Sequence, residues 1–533
     1  MRGIILAAGI GSRLRPVTLS KPKCCVTVGD APILTRQLRA YADAGVTDVT
    51  VVAGYLADDV RTLCEEVARK RPELDVSIEE SEVYANTDNM YSLYLAREAV
   101  AGEPFVLSNG DAVFDSELLA DLVDADAKSA VAADPATYSD EAMKVTVDDA
   151  GRVSHIAKDV PENVAHAISN DVYRFSADFS ASLFEEITRT VEQEGDYCGW
   201  TEAAIDRIVR NQPHDLEPVD VSDHRWVEID DFADLERADL RFSQLSDITE
   251  KEAVFFDLDG TVYLDDELVD DAKTVIDHLR AAGVDVYFLT NNSSRWKDDY
   301  TARLANLGIA ADTEQVLLST DGVIDYLEHV DDEVYVLGTE RMRAALADNG
   351  VELGDEDPAA VVVGFDTELT YEKARTATLA IRNGATFLLA HPDAVCPTAE
   401  GFVPDCGSIG AMIERATDQQ PARVFGKPNP EMLTHVLESE GYDPEDVLVV
   451  GDRLETDVQL AENVGCDSVC VLSGDSTRLE VEQSDLHPSL VAPDVSVLTR
   501  LLPDTDAKEA GIDRDTVDPD AVEAVPAGDR SEE

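Results

Sequence analysis

Two aspartates, Asp257 and Asp259, follow a short apolar run within Val254–Thr261. The run predicts a buried strand whose end projects both carboxylates into the following loop. One carboxylate can attack phosphorus and form an aspartyl-phosphate, while the other protonates the leaving alcohol and later activates water. Because two carboxylates cannot approach a phosphate unaided, the pattern predicts a Mg²⁺ site.

Three more strand ends carry groups suited to this chemistry, in chain order. Thr290 ends an apolar run with a hydroxyl that can bind phosphoryl oxygens. Lys427, in Gly-Lys-Pro, supplies a cation. Asp452 and Asp457 follow another apolar run and offer carboxylates to a metal. A chance origin of four such strand ends in this order is improbable.

The four motifs resemble those of the haloacid dehalogenase superfamily and cover about residues 252–500. The resemblance implies a nucleophile, an acid and base, and two phosphate ligands, in the order Asp257, Asp259, Thr290 and Lys427. It implies metal ligands at Asp257, Asp259, Asp452 and Asp457, the last of which could instead orient the metal-bound water or Lys427. The insertion between Thr290 and Lys427 resembles the NagD-like and nitrophenyl phosphatase-like subfamily with a large α/β cap, whose residues here do not identify a substrate.

A second candidate site begins at the first residues, where an apolar run leads into a glycine loop. Small residues at Ala8, Gly9 and Gly11 let backbone N–H groups approach a polyphosphate, and Arg13 can neutralise it. A Lys-Pro-Lys sequence ending at Lys23 follows.

The stretch LAAGIGSRLRPVTLSKPK resembles the signature of the sugar-nucleotidyltransferase superfamily. The resemblance implies that an acceptor phosphate attacks the α-phosphorus of a nucleoside triphosphate and that pyrophosphate leaves. Arg13 and Lys23 would be catalytic, and Mg²⁺ would bind Asp111 and Asp230, with Glu228 next in line. The implied nucleotide-binding residues are Leu6, Ala8, Gly9, Gly11, Arg13 and Asn89.

Residues Asn86–Arg97 and Trp226–Asp230 are similar to the phosphocholine cytidylyltransferase-like branch. This favours CTP as nucleotide and a small phosphorylated alcohol as acceptor. The alternative is a hexose-1-phosphate nucleotidyltransferase that uses UTP, GTP or dTTP. Lys144 or Lys158 could bind the acceptor phosphate, although a solvated surface lysine is an equal alternative. Cys24 and Cys25 are expected to be small buried side chains rather than catalytic thiols.

The elements that must position these residues alternate between strand-like and helical patterns in both halves, which favours an α/β fold with mainly parallel sheets. We expect two Rossmann-like domains, the second with an inserted α/β cap. The expected limits are 1–243 for the nucleotidyltransferase domain, 244–252 for a linker, 253–330 and 420–502 for the phosphatase core, 331–419 for the cap, and 503–533 for an acidic disordered tail.

The charge of the 533-residue chain is strongly negative, with 110 Asp and Glu against 43 Lys and Arg and a net charge of -67. Dispersed acids indicate a halophile's surface and exclude nucleic acid as a favoured partner. The eight cysteines contain no Cys-x-x-Cys pair, and no run of about 18 apolar residues occurs. We therefore expect a cytoplasmic protein without membrane contact, whose oligomeric state the sequence leaves open.

The two expected activities would compete if the phosphatase removed the phosphate that the transferase consumes. We therefore expect the phosphatase to act on a different ester. The alternative is that one domain is a catalytically inactive regulatory module, against which the intact motifs argue.

Overall fold

The computed structural model of the chain describes residues 1–139, 141–264, 266–330, 332–398 and 401–503. The expected α/β class is confirmed. The expected acidic tail lies outside the described residues from 504 onward.

The N-terminal half is built on one nine-stranded sheet. Its first strand, Arg2–Ala7, lies between Asp48–Ala53 and Phe105–Asn109, and Asp75–Glu80 pairs with Asp48–Ala53; all these pairings are parallel. Helices of this half connect the strands and cover both faces. They are Ile33–Asp43, Ala57–Lys70, Asn89–Leu95, Arg97–Val100, Ser116–Asp124, Ala177–Thr188, Thr201–Asn211 and Phe232–Phe242.

The rest of this sheet corrects the expectation of a mainly parallel arrangement. Ala167–Phe175 runs antiparallel to Phe105–Asn109, so the sheet is mixed. In the described part of residues 129–175 no helix connects successive strands, and short connections permit only antiparallel pairing. The strands outside the parallel centre are Ser129–Asp134, Lys144–Val147, Val153–Ala157, Ala167–Phe175 and Leu216–Asp220.

The C-terminal half contains a six-stranded sheet that is parallel throughout. Its strand order is Val316–Leu318, Asp285–Thr290, Ala253–Asp257, Val447–Gly451, Asp467–Val471 and Leu490–Ala492. Because the carboxyl ends of parallel strands meet at one edge, the motifs at these ends are brought together. The helices of this part are Ala272–Ala282, Lys297–Asn306, Ser319–Leu327, Glu431–Glu440, Gln459–Val464 and Arg478–Gln483.

An inserted cap has its own four-stranded parallel sheet. Its strands are Val334–Leu337, Ala360–Val363, Thr386–Leu389 and Arg423–Val424, and its helices are Glu340–Asp348, Tyr371–Asn383 and Cys406–Thr417. A hairpin of Val395–Thr398 and Gly401–Pro404 completes it. The short strand Arg423–Val424 extends the cap sheet beyond residue 419, the expected end of the insertion, immediately before the chain reaches Lys427.

The apolar runs before Asp257, Thr290 and Asp452, which were expected to be strands, are strands in the structure. The two helices Asn89–Leu95 and Arg97–Val100 are separate because the backbone at Ala96 leaves helical geometry with ψ near 1°. Within the expected linker, Leu245 and Ile248 are buried against the C-terminal core. No helix in the described parts of the chain is long and apolar enough to cross a bilayer.

The net charge of -67 predicts a stability that depends on salt. Repulsion among dispersed carboxylates destabilises the compact state, and the screening length falls from about 10 Å at 0.1 M salt to about 3 Å at 1 M. We expect the midpoint of thermal unfolding to rise as KCl increases over this range. An unchanged or falling midpoint, measured by circular dichroism, would contradict the prediction.

Two candidate active sites

Three carboxylates converge at the carboxyl edge of the C-terminal sheet. Asp257 ends the central strand, Asp452 follows the neighbouring strand, and Asp457 lies in the turn after it. One oxygen from each lies within 4.8 Å of the others, and all three residues are buried. Hard oxygen ligands at this spacing suit Mg²⁺.

Lys427 holds two of these carboxylates. Its Nζ contacts Asp257 Oδ1 and donates to Asp457 Oδ1 at 2.6 Å. Its backbone N–H donates to Asn291 Oδ1 at 2.8 Å, which ties the lysine to the end of the strand that carries Thr290. Burial would lower the pKa of this ammonium, but the carboxylates of Asp257 and Asp457 outweigh burial and raise it.

Two acids of this site, Asp257 and Asp452, are hard to ionise. Burial raises the pKa of Asp257 well above its usual range, although Lys427 opposes the shift. Burial, with the charge of Asp457, raises the pKa of Asp452 to about 7. A divalent cation would relieve this repulsion, so the cluster fits the expected metal.

Asp259 lies in the same pocket but outside the three-carboxylate group. Burial raises its pKa, with Arg303 opposing the shift from 3.6 Å. A raised pKa keeps a carboxyl protonated nearer to neutral pH, as a general acid requires. Thr290 lines this pocket too and accepts a hydrogen bond at Oγ1 from the backbone N–H of Asn292 at 3.1 Å.

The cap closes the pocket with polar side chains that sequence reasoning missed. Asp393, Cys396 and Asp405 from the cap line it together with Arg453. Arg453 Nη1 donates to Asp393 Oδ2 at 3.2 Å. Their chain separation of 60 residues left no local signal. These side chains therefore add a cation and two carboxylates to the lining of the pocket.

The second site lies in the N-terminal half, where Lys23 joins two carboxylates. Its Nζ donates to Asp111 Oδ2 at 2.9 Å and to Asp230 Oδ1 at 3.1 Å. Strand Ala112–Phe114 pairs antiparallel with Trp226–Glu228, which brings these two acids together. The other oxygen of Asp111, Oδ1, is buried with no protein partner. An oxygen left open in this way fits a metal ligand.

The glycine loop packs against the side chain of Lys23. Gly11 has φ of 65°, and a Cβ there would lie 2.8 Å from Cβ of Lys23. A side chain at this position would therefore be strained and would displace the lysine. Arg13 Nη2 lies 2.9 Å from Asp230 Oδ1, so both predicted cations meet one carboxylate. Leu6 and Ala8 are buried at the end of the first strand, and Gly9 is exposed.

Further acids surround this site, of which the sequence singled out only Glu228. Burial, together with the charges of Asp111 and Asp230, raises the pKa of Glu228 to about 8. Asp111, Glu228 and Asp230 form a second group with oxygens within 4.8 Å of one another. Asp171 and Glu202 are buried nearby, and burial raises both pKa values.

The two candidate acceptor lysines differ in position. Lys144 is 1% exposed and donates to the carbonyl oxygen of Lys158 at 2.7 Å, so the surface alternative does not hold for it. Lys158 Nζ lies 5.1 Å from the ring centre of Trp200, and its charge acts on Glu202 and Glu228. Lys158 is exposed, so the surface alternative stays open for it.

Asn89 and the adjacent cysteines Cys24 and Cys25 lie in different surroundings. Asn89 Oδ1 accepts a hydrogen bond from the backbone N–H of Thr201 at 2.8 Å, so its side chain joins two helices of the site. Cys24 and Cys25 are buried in the apolar core, which confirms that they are small core side chains.

Both halves match known families. Residues 2–203 match the Nucleotidyl transferase family. Residues 254–352 match the Haloacid dehalogenase-like hydrolase family, and residues 424–498 match the HAD-hydrolase-like family. The chain therefore belongs to the haloacid dehalogenase-like hydrolases through its C-terminal half, and it carries a nucleotidyl transferase domain at its N-terminus.

Named relatives match the C-terminal half. An acid sugar phosphatase of Staphylococcus aureus is 36% identical over 247 residues, which is 46% of this chain and 95% of the relative. A 4-nitrophenylphosphatase from Thermotoga maritima is 35% identical over 48% of this chain and 98% of its own, with a TM-score of 0.46. A glycerol phosphate phosphatase from Mycobacterium tuberculosis, solved with magnesium, is 31% identical over 48% of this chain and 78% of its own, with a TM-score of 0.45.

The raised pKa of Asp452, about 7, predicts that Mg²⁺ binding at the C-terminal cluster depends on pH. Below this pKa the metal must displace a proton, so apparent affinity should rise about tenfold per pH unit up to about pH 7 and then level off. Calorimetric titration with Mg²⁺ in an Asp111→Asn background would isolate this cluster. Asp452→Asn should bind more weakly and depend less on pH than the parent, with Asp257 still releasing a proton; equal affinity at about pH 5.5 and 8 in the parent would contradict the prediction.

Proposed function

We propose that the chain is a bifunctional, magnesium-dependent enzyme that transfers a nucleotidyl group at one site and hydrolyses a phosphomonoester at the other. The observation that carries the proposal is that each half brings a lysine between two carboxylates of a three-carboxylate group. Mg²⁺ bound to these groups would neutralise phosphate charge.

For the phosphatase we propose that Asp257 attacks phosphorus and becomes an aspartyl-phosphate, while Asp259 gives a proton to the leaving alcohol. Asp259 then accepts a proton from the water that releases orthophosphate. Lys427 holds the nucleophile in place, and Thr290 offers its hydroxyl to the phosphoryl oxygens. The raised pKa of Asp259 supports its role as the acid.

The substrate of the phosphatase is proposed from its pocket and its relatives. The names of the relatives refer to sugar phosphates, nitrophenyl phosphate and glycerol phosphate. The pocket adds Asp393, Asp405 and Arg453 beyond the phosphate site, groups that can hydrogen bond to hydroxyls. We therefore propose a phosphorylated sugar or polyol.

For the transferase we propose that Arg13 and Lys23 stabilise the triphosphate while the acceptor phosphate attacks the α-phosphorus. Asp111 and Asp230, with Glu228, would hold the metal. Little covalent work falls to the protein, so catalysis would depend on positioning and charge. The backbone from Leu6 to Gly11 would approach the nucleotide. Asn89 would contribute by ordering the helices beside the base.

We propose CTP as nucleotide and a small phosphorylated alcohol as acceptor, from the resemblance of residues 86–97 and 226–230. The carboxylates of Asp171 and Glu202 beside Lys158 and Trp200 suit an acceptor that carries hydroxyl or cationic groups in addition to its phosphate. A hexose-1-phosphate nucleotidyltransferase that uses UTP, GTP or dTTP is the alternative.

We propose the domain limits expected from the sequence, except that the cap sheet continues to Val424. It includes a cytoplasmic, halophilic setting. None of the eight cysteines, all of which lie in the described part of the chain, is in a disulfide, which supports a reducing compartment.

Separate loss of the two activities is the first test. We expect Asp257→Asn to abolish orthophosphate release and Asp111→Asn to abolish pyrophosphate release, because each removes a carboxylate that its own site needs. Each variant serves as the folding control for the other, since it should retain the activity of the unaltered half. If neither change affects any turnover, the proposal is wrong.

A substrate panel is the second test. We expect pyrophosphate release to be fastest with CTP among the four nucleoside triphosphates, with a phosphorylated alcohol as acceptor, in high salt with Mg²⁺. We expect orthophosphate release to be fastest with a different ester, because hydrolysis of the acceptor would defeat the transfer. The Asp257→Asn variant provides the blank for orthophosphate. Faster hydrolysis of the acceptor than of every other ester would refute the separation of substrates.

A further inference from the structure

A short helix of the phosphatase half lies against the transferase loop that contains Arg13 and Lys23. This bridging helix is Arg478–Gln483, and the signature loop it contacts comprises residues 8–30. Leu479 of the helix packs against an apolar cluster that includes Leu14 and Val17 of the loop. The catalytic loop of one half is thus partly covered by the other half.

Glu482 supplies a buried carboxylate to this contact. Its side chain is 1% exposed and accepts hydrogen bonds from the backbone N–H of Thr27 at 3.1 and 3.2 Å. Lys21 Nζ donates to the same carboxylate at 2.7 Å and to the backbone oxygen of Glu482 at 2.8 Å. Two points of the signature loop, on either side of Lys23, are therefore tied to one residue of the phosphatase half.

Arg478 joins the loop to a second transferase segment. Its Nη2 donates to the carbonyl oxygen of Thr27 at 2.7 Å, and its Nη1 pairs with the Asp239 carboxylate. Asp239 accepts a hydrogen bond from the backbone N–H of Gly29 at 3.1 Å. It lies on helix Phe232–Phe242, which begins two residues after the candidate metal ligand Asp230. One guanidinium thus connects the segment of Lys23 with the segment of Asp230.

The position of the bridging helix is set by the phosphatase core. Just before the helix, the backbone N–H of Asp475 donates to Asp452 Oδ2 at 2.7 Å, and that of Ser476 donates to the Asp452 carbonyl oxygen at 3.0 Å. A Cβ at Gly474 would lie 1.9 Å from Asp452 Oδ2, so the segment packs tightly on this residue. The helix therefore starts from a fixed point at the end of a core strand.

The signature loop needs such support because its own structure is slight. It contains three-residue 3₁₀ turns and the two-residue strand Thr27–Val28. That strand pairs with another two-residue strand, Ala31–Pro32, just after the loop. Catalysis by positioning is sensitive to displacements of about 1 Å, which can cost about 100-fold in rate. The distance between Lys23 and Asp230, 3.1 Å, depends on two segments that Arg478 holds together.

We propose that Arg478 and Glu482 are positioning residues of the transferase site, so that the phosphatase half completes the active site of the other half. The proposal rests on the proposed transferase function. It gives the fusion a structural reason, because a nucleotidyl transferase domain cut at residue 243 would lack both side chains.

The test uses the full chain with Arg478→Met and Glu482→Gln, assayed for pyrophosphate and orthophosphate release. We expect kcat for pyrophosphate release to fall about 10- to 100-fold, and KM for the nucleotide to rise, while orthophosphate release stays within about twofold. Arg478→Lys should recover part of the loss, since it keeps the charge opposite Asp239. A general loss of stability would instead reduce both activities together.

The matched control is Glu480→Gln on the same helix. Glu480 accepts hydrogen bonds from Thr477 within the bridging helix, and glutamine can replace it in that capping role. We expect neither activity to change in this variant. Unchanged transferase kinetics in both Arg478→Met and Glu482→Gln would overturn the proposal.

Hydrogen exchange gives a readout that does not require turnover. Amides of residues 11–30 should exchange faster in Arg478→Met than in the parent chain or in Glu480→Gln. If the parent releases no pyrophosphate with any nucleotide, the proposed function fails, while the exchange comparison still decides whether the helix orders the loop. Equal exchange in all three chains would overturn the positioning role.

Discussion

Repulsion between carboxylates gathered at strand ends is the constraint on which both candidate sites depend. Each site places a lysine between two acids: Lys427 between Asp257 and Asp457, and Lys23 between Asp111 and Asp230. Burial raises the pKa values of Asp257, Asp452 and Glu228, and the ammonium ion in each group offsets only part of the repulsion. The remaining negative charge suits a divalent cation, and the cation in turn would attract a phosphate.

The two halves assemble this arrangement in different ways. In the C-terminal half a fully parallel sheet brings its motifs to one edge, since the strands of Asp257 and Asp452 are neighbours. In the N-terminal half a small antiparallel pair, Ala112–Phe114 with Trp226–Glu228, brings the second acid to the first. Both pairings join segments more than a hundred residues apart in the chain.

The two halves of the chain contact each other through the bridging helix. The segment just before the bridging helix is hydrogen bonded to Asp452 through the backbone N–H of Asp475. The helix itself contacts the signature loop through Arg478 and Glu482. The buried arginine is surrounded by Asp239, Glu482 and a backbone carbonyl, which compensates the loss of hydration. Basic residues are few in this chain. One of them, Arg478, connects two domains that each have their own core.

The sequence by itself determined the α/β class, most of the strands, and the residues at their ends, because apolar runs and strand-end motifs are local patterns. It identified Lys23, Asp111, Asp257 and Lys427 without any knowledge of distance. Only the tertiary structure decided that the N-terminal sheet is mixed, that Asp393 meets Arg453, and that Arg478 reaches Thr27. These pairings join segments 60 to 451 residues apart, and such contacts arise from packing, which leaves no periodic signal in a single sequence.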